Sequence, residues 1–200
     1  MKQIVIIDLD IGNSAAVKNM LSHLGYAAEI LTEPNTNGTV DADCLILPGV
    51  GNFKSIISAL ERRNWLNCLK NIHASQNFLG ICVGYQILYA ASSEATGTKG
   101  LNLIECCLSN LNDINGYIGR VPNVGWHTEV ISKREYYFTH SYGIEAKILA
   151  ERDVEFDYIM IDETKIVSRV RKDNYQGVQF HPEKSGISGF EFFEEYLSEI

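Results

Sequence analysis

The chain has 200 residues, 46% of them hydrophobic and 21% charged, a composition that fits one globular domain and excludes a disordered, collagenous or low-complexity chain. A globule of this length removes roughly 70% of its unfolded surface from water, so it can fold without a disulfide, metal or cofactor as a staple. Seventeen Lys and Arg against 25 Asp and Glu leave a formal net charge of -8, which argues against a nucleic-acid partner, and no apolar run approaches the roughly 20 residues that cross a bilayer.

Met1-Lys2-Gln3 leads into a strand pattern rather than a secretion signal, so a soluble cytoplasmic protein with no membrane partner is expected. Ile4 to Ile7 is a short apolar run suited to a buried parallel strand. Asn13 or Ser14 then caps an amphipathic stretch carrying Ala16, Val17, Met20, Leu21 and Leu24, which Gly25 ends. Ala28 to Leu31 and Cys44 to Leu47 supply the next two strands, and Phe78 to Ile81 another, followed by a helix from Val83 to about Ala91. Beyond Leu101 the pattern is strand-rich, with pieces at 103–111, 126–131, 136–142, 158–162, 166–170 and 177–180, before a closing helix over 189–198. Strands alternating with helices predict an α/β domain over 1–200: one open, mixed, mainly parallel sheet flanked by helices, of flavodoxin-like form.

The five cysteines are an odd number with no C-x-x-C pair, so free thiols are expected rather than a disulfide framework or zinc site. Cys44 and the pair Cys106-Cys107 lie in strand-like stretches, where cysteine acts as a small hydrophobe. Cys82 differs. Gly80-Ile81-Cys82-Val83-Gly84 sets it between two glycines at a strand end and a helix start, the form of a nucleophile elbow. Residues two either side of such a turn crowd together unless they lack a Cβ, and the helix N-terminus favours a thiolate. G-x-C-x-G also occurs by chance, so the pentapeptide alone leaves open an ordinary buried cysteine in a turn.

A thiol nucleophile needs a base. Of the five histidines, His181 follows the strand Gly177 to Phe180, and Pro182 holds the backbone extended so that Glu183 can fold back to orient the imidazole. A surface histidine beside a turn proline is the plainer alternative. His23 and His73 read as solvated, and His140 as structural. Pro48-Gly49-Val50-Gly51 follows the third strand at the carboxyl edge of the sheet, where open α/β proteins place their sites. Its backbone could aim an N–H at an oxyanion, with the Val83 N–H as second donor, or it could be a plain strand-to-helix turn.

Taken together, P-G-V-G at 48–51, L-G-I-C-V-G-Y-Q at 79–86 and G-V-Q-F-H-P-E at 177–183 resemble class I glutamine amidotransferases. Within that family the chain is similar to the glutaminase subunits of imidazole glycerol phosphate synthases, through Lys184-Ser185-Gly186, Val121-Pro122 with Gly125-Trp126, and Tyr137 to Tyr142. The resemblance implies that Cys82 attacks the glutamine side-chain amide, His181 relays the proton and Glu183 orients it. It implies an oxyanion hole from Val50, Gly51 and Val83, and glutamine contacts from Gly49, Gln86, Glu94, Ser141 and Tyr142. It further implies a (β/α)8-barrel synthase subunit as partner, met by Asp10, Asn13, Asn123, Trp126, Tyr137 and Lys184, with no metal or cofactor. The family usually has D-Y-G-x-G-N and P-H-M-G-W-N where this chain reads Asp8-Leu9-Asp10-Ile11-Gly12-Asn13 and Pro122-Asn123-Val124-Gly125-Trp126-His127. Those departures leave a second reading, a paralogue supplying ammonia for sugar amination, and predict that Asp10 pairs with a cation across the interface. A cysteine peptidase or γ-glutamyl hydrolase, and a non-catalytic partner-binding domain, are the readings from other classes.

Overall fold

A computed structural model describes residues 2–200. In chain order the elements are β1 (Ile4–Ile7), α1 (Ser14–His23), β2 (Ala28–Leu31), β3 (Cys44–Gly49), α2 (Phe53–Arg62), α3 (Trp65–Lys70), β4 (Asn77–Cys82) and α4 (Val83–Gln86). They continue with β5 (Tyr89–Ser92), β6 (Ile104–Asn110), β7 (Asn123–Thr128), β8 (Glu135–His140), β9 (Tyr142–Gly143), α5 (Ala146–Leu149), β10 (Glu155–Ile161), β11 (Thr164–Lys172), β12 (Tyr175–Val178) and α6 (Gly186–Glu199). The main sheet has seven strands in the order β10-β11-β12-β4-β3-β1-β2. Its five strands from β12 to β2 are parallel, while β11 runs antiparallel to both β12 and β10. The parallel part has the flavodoxin-like succession, and the continuous apolar runs in β1, β3 and β4 are buried along their whole length because helices cover both faces.

Register carries function here. Gly49 lies opposite Cys82 in the β3–β4 pair, and Val178 opposite Ile81 in the β12–β4 pair. The ends of β3, β4 and β12 therefore meet at one carboxyl edge. On the other side α6 packs Phe192, Phe193, Tyr196 and Leu197 into the core, and each such side chain contributes roughly 1.5–3 kcal/mol of burial.

Three expectations change. The helix after Cys82 ends at Gln86, and the residues assigned to its continuation form β5. The cause lies outside the segment: the Ile87, Leu88 and Ala90 carbonyls accept from Leu101, Leu103 and Gly100 amides at 2.7–2.9 Å, bonds that a continuing helix would have made internally. Second, the later strands do not all join one sheet: β5, β6 and β9 form a three-stranded sheet, and β7 with β8 a two-stranded one. Third, α2 and α3 fill a stretch the sequence analysis passed over. Their signal was present, since Asn52 accepts from the Ser55 amide at 2.9 Å as N-cap and Ile56, Ile57, Ala59 and Leu60 make one buried face.

Candidate active site

Cys82 sits at the turn between β4 and α4 with φ 55 and ψ -107, a backbone strained by an order of 1–3 kcal/mol. The glycines make that turn possible. A Cβ on Gly80 would lie 2.1 Å from the Gly84 carbonyl oxygen, and one on Gly84 would lie 2.1 Å from that of Leu47. Helix and strands are thereby pressed together under the thiol.

His181 leaves β12 with its amide donating to the Tyr137 carbonyl at 2.9 Å, and Ser185 Oγ donates to the His181 carbonyl at 2.6 Å. Those bonds fix the ring. Its Nδ1 is 2.8 Å from Glu183 Oε1, both side chains being 1% exposed, while His181 Nε2 and Glu183 Oε2 are buried without a hydrogen-bond partner. Burial works against the imidazolium, but Cys82 and Glu183 both favour it, and the net effect lifts the His181 pKa above the usual imidazole range.

Cys82 and His181 line one cavity of about 370 Å³, together with Val50, Gly51, Val83, Gln86, Glu94, Ser141, Tyr142 and Lys184. Pro122, Thr139 and His140 complete its wall. Gln86 Nε2 donates to Gln179 Oε1 at 3.0 Å and lies 3.4 Å from the Tyr142 carbonyl, while Glu94 Oε2 accepts from the Phe53 amide at the start of α2 at 2.7 Å. The Val50 N–H donates to the Ile11 carbonyl at 3.0 Å, so in this conformation it is turned away from the cavity.

The residues assigned to a partner are less uniform. Trp126 is half exposed and packs edge-on against Tyr137 at 5.8 Å, Lys184 is exposed, and Asn13 precedes α1. Asp10 pairs with Arg63 of its own chain while its side chain stays exposed. Asn123 is buried: its Nδ2 is 3.1 Å from His140 Nε2 and its Oδ1 2.8 Å from His127 Nε2. Its side chain is spent inside the molecule rather than presented to a partner. Among the described residues there is no group of three or more His, Cys, Asp or Glu that could hold a metal ion, and no helix long and apolar enough to cross a membrane.

The model of the family "Glutamine amidotransferase class-I" matches residues 5–193. The chain belongs to the class I glutamine amidotransferase family. This amidotransferase is 34% identical over 209 residues to imidazole glycerol phosphate synthase subunit HisH 2 of Vibrio vulnificus strain YJ016, with 98% of this chain and 94% of that one covered. It is 34% identical over 199 residues to subunit HisH of Staphylococcus epidermidis strain ATCC 12228, with 97% and 96% covered. A crystal structure of a glutamine amidotransferase has the same fold, with TM-score 0.76, 16% identity and coverage of 98% of this chain and 99% of that one.

The sequence analysis passed over Gln179, a wholly buried amide whose Nε2 is 3.8 Å from Cys82 Sγ. The available signal was a polar residue two positions before His181, on a stretch whose other members are apolar or glycine.

Proposed function

We propose that this amidotransferase is the glutaminase subunit of an imidazole glycerol phosphate synthase, acting in the cytoplasm in histidine biosynthesis. The carrying observation is the buried His181–Glu183 pair, with His181 Nε2 left unpartnered and His181 lining the same cavity as Cys82. In this reading the Cys82 proton passes to His181 Nε2 and the thiolate attacks the glutamine side-chain carbonyl carbon. His181 returns the proton to the leaving nitrogen, and ammonia departs from a γ-glutamyl thioester. Water, deprotonated by His181, then releases glutamate and restores the thiol.

The negative oxygen of each tetrahedral intermediate needs donors, and the ones assigned in this reading are the Val83 N–H after the nucleophile and an N–H of the Val50–Gly51 loop, whose residues line the cavity. The Val50 donor is engaged by Ile11. Rotating the Gly49–Val50 peptide would free it, and Gly51, at φ +97, gives the loop room to do so. Loss of one such donor costs about 10²- to 10³-fold in rate, which makes the isolated chain a slow glutaminase. A partner that binds the rotated loop more tightly switches it on.

That partner is a (β/α)8-barrel synthase subunit, receiving ammonia at the cavity mouth. Lys184 and Pro122 at the cavity, with Val124 and Trp126 exposed just after Pro122 in the chain and Ile187 exposed just after Lys184, are the mixed apolar and cationic surface assigned to it. The interchange of His and Asn between positions 123 and 127 keeps an amide-to-imidazole hydrogen bond inside the molecule, so it does not by itself argue for a different partner.

The test is steady-state glutamine hydrolysis by the chain alone and with a histidine-pathway barrel subunit plus its acceptor. Strong activation is expected. Cys82→Ala should abolish glutamine-dependent synthesis while leaving ammonia-dependent synthesis intact. Equal turnover with and without the barrel, or activation only by a sugar-aminating barrel, contradicts the reading.

A further inference from the structure

Gln179 is fully buried between β12 and His181, and a buried primary amide is costly unless its groups are bonded. Its backbone N–H donates to the Ser168 carbonyl at 2.7 Å, and the ring of the next residue, Phe180, stacks on Tyr136 at 3.8 Å. These contacts fix where the side chain points. Oε1 accepts from Gln86 Nε2 at 3.0 Å, and Nε2 has Cys82 Sγ at 3.8 Å as its hydrogen-bond partner. The polarity is set by neighbours: Gln86 Nε2 is also directed at the Tyr142 carbonyl, so it must donate to Gln179, whose own N–H groups are left for the sulfur.

A neutral thiol is a poor acceptor, whereas a thiolate is a strong one. The Thr139 carbonyl oxygen lies 3.9 Å from Cys82 Sγ and can accept the thiol proton in the resting state. When that proton leaves for His181, the Thr139 contact is lost and the Gln179 contact becomes charge-assisted. We propose that Gln179 is a third working residue beside Cys82 and His181, a fixed donor that stabilises the Cys82 thiolate and ties its orientation to that of Gln86. This rests on the glutaminase reading for its use in turnover. Gln179 itself transfers no proton and forms no covalent bond. Its contact is stronger in the charged state than in the resting one, which is the requirement for accelerating a step rather than tightening binding. With its N–H groups committed to Gln179 and Tyr142, Gln86 keeps Oε1 for a ligand donor.

The test is alkylation of Cys82 by iodoacetamide across a pH series, followed on the Cys82 peptide by mass spectrometry so that Cys106 and Cys107 do not contribute. Around the sulfur the other titratable groups are His181 with Glu183 behind it, His140 and Tyr142 in the wall, Glu94 and Lys184, and none is altered in the variants. Gln179→Leu should slow alkylation at pH 7 about tenfold and move the profile to higher pH. Gln179→Glu, which keeps an acceptor for Gln86 but sets a carboxylate against the sulfur, should move it further. In turnover with glutamine both should lower kcat more than they raise KM. Alkylation within twofold of the parent and an unmoved profile in Gln179→Leu overturn the proposal.

If a variant fails to fold, the unsubstituted chain decides: the ¹⁵N side-chain amide resonance of Gln179 should shift on alkylation of Cys82, and an unmoved resonance overturns the proposal. Iodoacetamide reads the sulfur without glutamine or a barrel subunit. A chain that alkylates as described but does not hydrolyse glutamine refutes the glutaminase reading and leaves the Gln179 contact standing.

Discussion

Glu129 and Glu183 are both buried carboxylates paired with a base, yet the two pairs are finished differently. Glu129 Oε1 accepts from Ser168 Oγ, and Oε2 from Ser132 Oγ and from the Arg169 guanidinium, each at 2.7 Å. The guanidinium also donates to the Tyr136 hydroxyl at 3.2 Å and lies 5.1–5.8 Å from the ring centres of Tyr136, Phe180 and Phe192. Burial pushes the Glu129 carboxyl up despite the opposing pull of Arg169, and every acceptor oxygen is still filled. The Glu183–His181 pair keeps Glu183 Oε2 and His181 Nε2 without partners beside a cavity. In the Glu129 pair both carboxylate oxygens are filled and the buried atom left without a partner, Nε of Arg169, is on the base, whereas in the Glu183 pair the carboxylate itself is left partly open. In the proposed reading, the open Nε2 is what lets His181 exchange a proton.

The largest effect that sharpens this contrast lies at Cys82, opposite the open pair. Cys82→Ala should lower glutamine hydrolysis by at least about 10⁴-fold, as nucleophile removal does elsewhere, with the urea midpoint little changed, because alanine keeps the same backbone conformation and its strain. A residual rate within tenfold of the parent would separate the cavity from the chemistry. Next is Glu183→Gln, which keeps an acceptor near Nδ1 but removes the charge that favours the imidazolium. A loss of about 10²- to 10⁴-fold in kcat is expected, read at saturating glutamine, with stability nearly unchanged.

The Glu129 pair should answer in the opposite way. Glu129→Gln leaves the Arg169 guanidinium buried without its counter-charge and should destabilise the chain by about 3 kcal/mol in a denaturant titration. Its effect on kcat should be small once the protein is folded. If Glu129→Gln were neutral in stability while Glu183→Gln unfolded the chain, the contrast would be reversed.

The smallest effect concerns His140, which backs the cavity wall. Its Nδ1 is 2.9 Å from the Tyr142 carbonyl and burial pushes its pKa down to about 4. The unfolded chain takes up this proton near pH 6.5, whereas the folded chain resists until about pH 4, so stability is lost as pH falls between those values. The loss from this group at pH 5 is about 2 kcal/mol. His140→Gln should flatten the fall in melting temperature between pH 6.5 and 5, and an unchanged slope would show that His140 is not held neutral.

What could be read from the sequence follows from how local each cause is. The strand runs at Ile4–Ile7 and Cys44–Leu47 carry their own pattern, and the elbow and the His181-Pro182-Glu183 corner bring their chemistry with them within a few residues. The end of α4 was not legible, because amides from Gly100 to Leu103 compete for its carbonyls from outside the segment. Asp10 looked unpaired because Arg63, its partner, lies beyond α1, β2, β3 and α2 in the chain, and Asn123 looked like a surface residue because its histidine partners come from its own strand and from β8. Gln179 stood out only as a polar residue in an otherwise apolar stretch, and its role shows only when Cys82 and Gln86 are brought against it.

The most direct test is covalent trapping of the open site with 6-diazo-5-oxo-L-norleucine, a glutamine-shaped electrophile, read by intact mass and peptide mapping with the barrel subunit present. The account predicts one adduct, on the peptide carrying Cys82, absent in Cys82→Ala and slowed in Glu183→Gln. An adduct on another residue, or full labelling of Cys82→Ala, would contradict it.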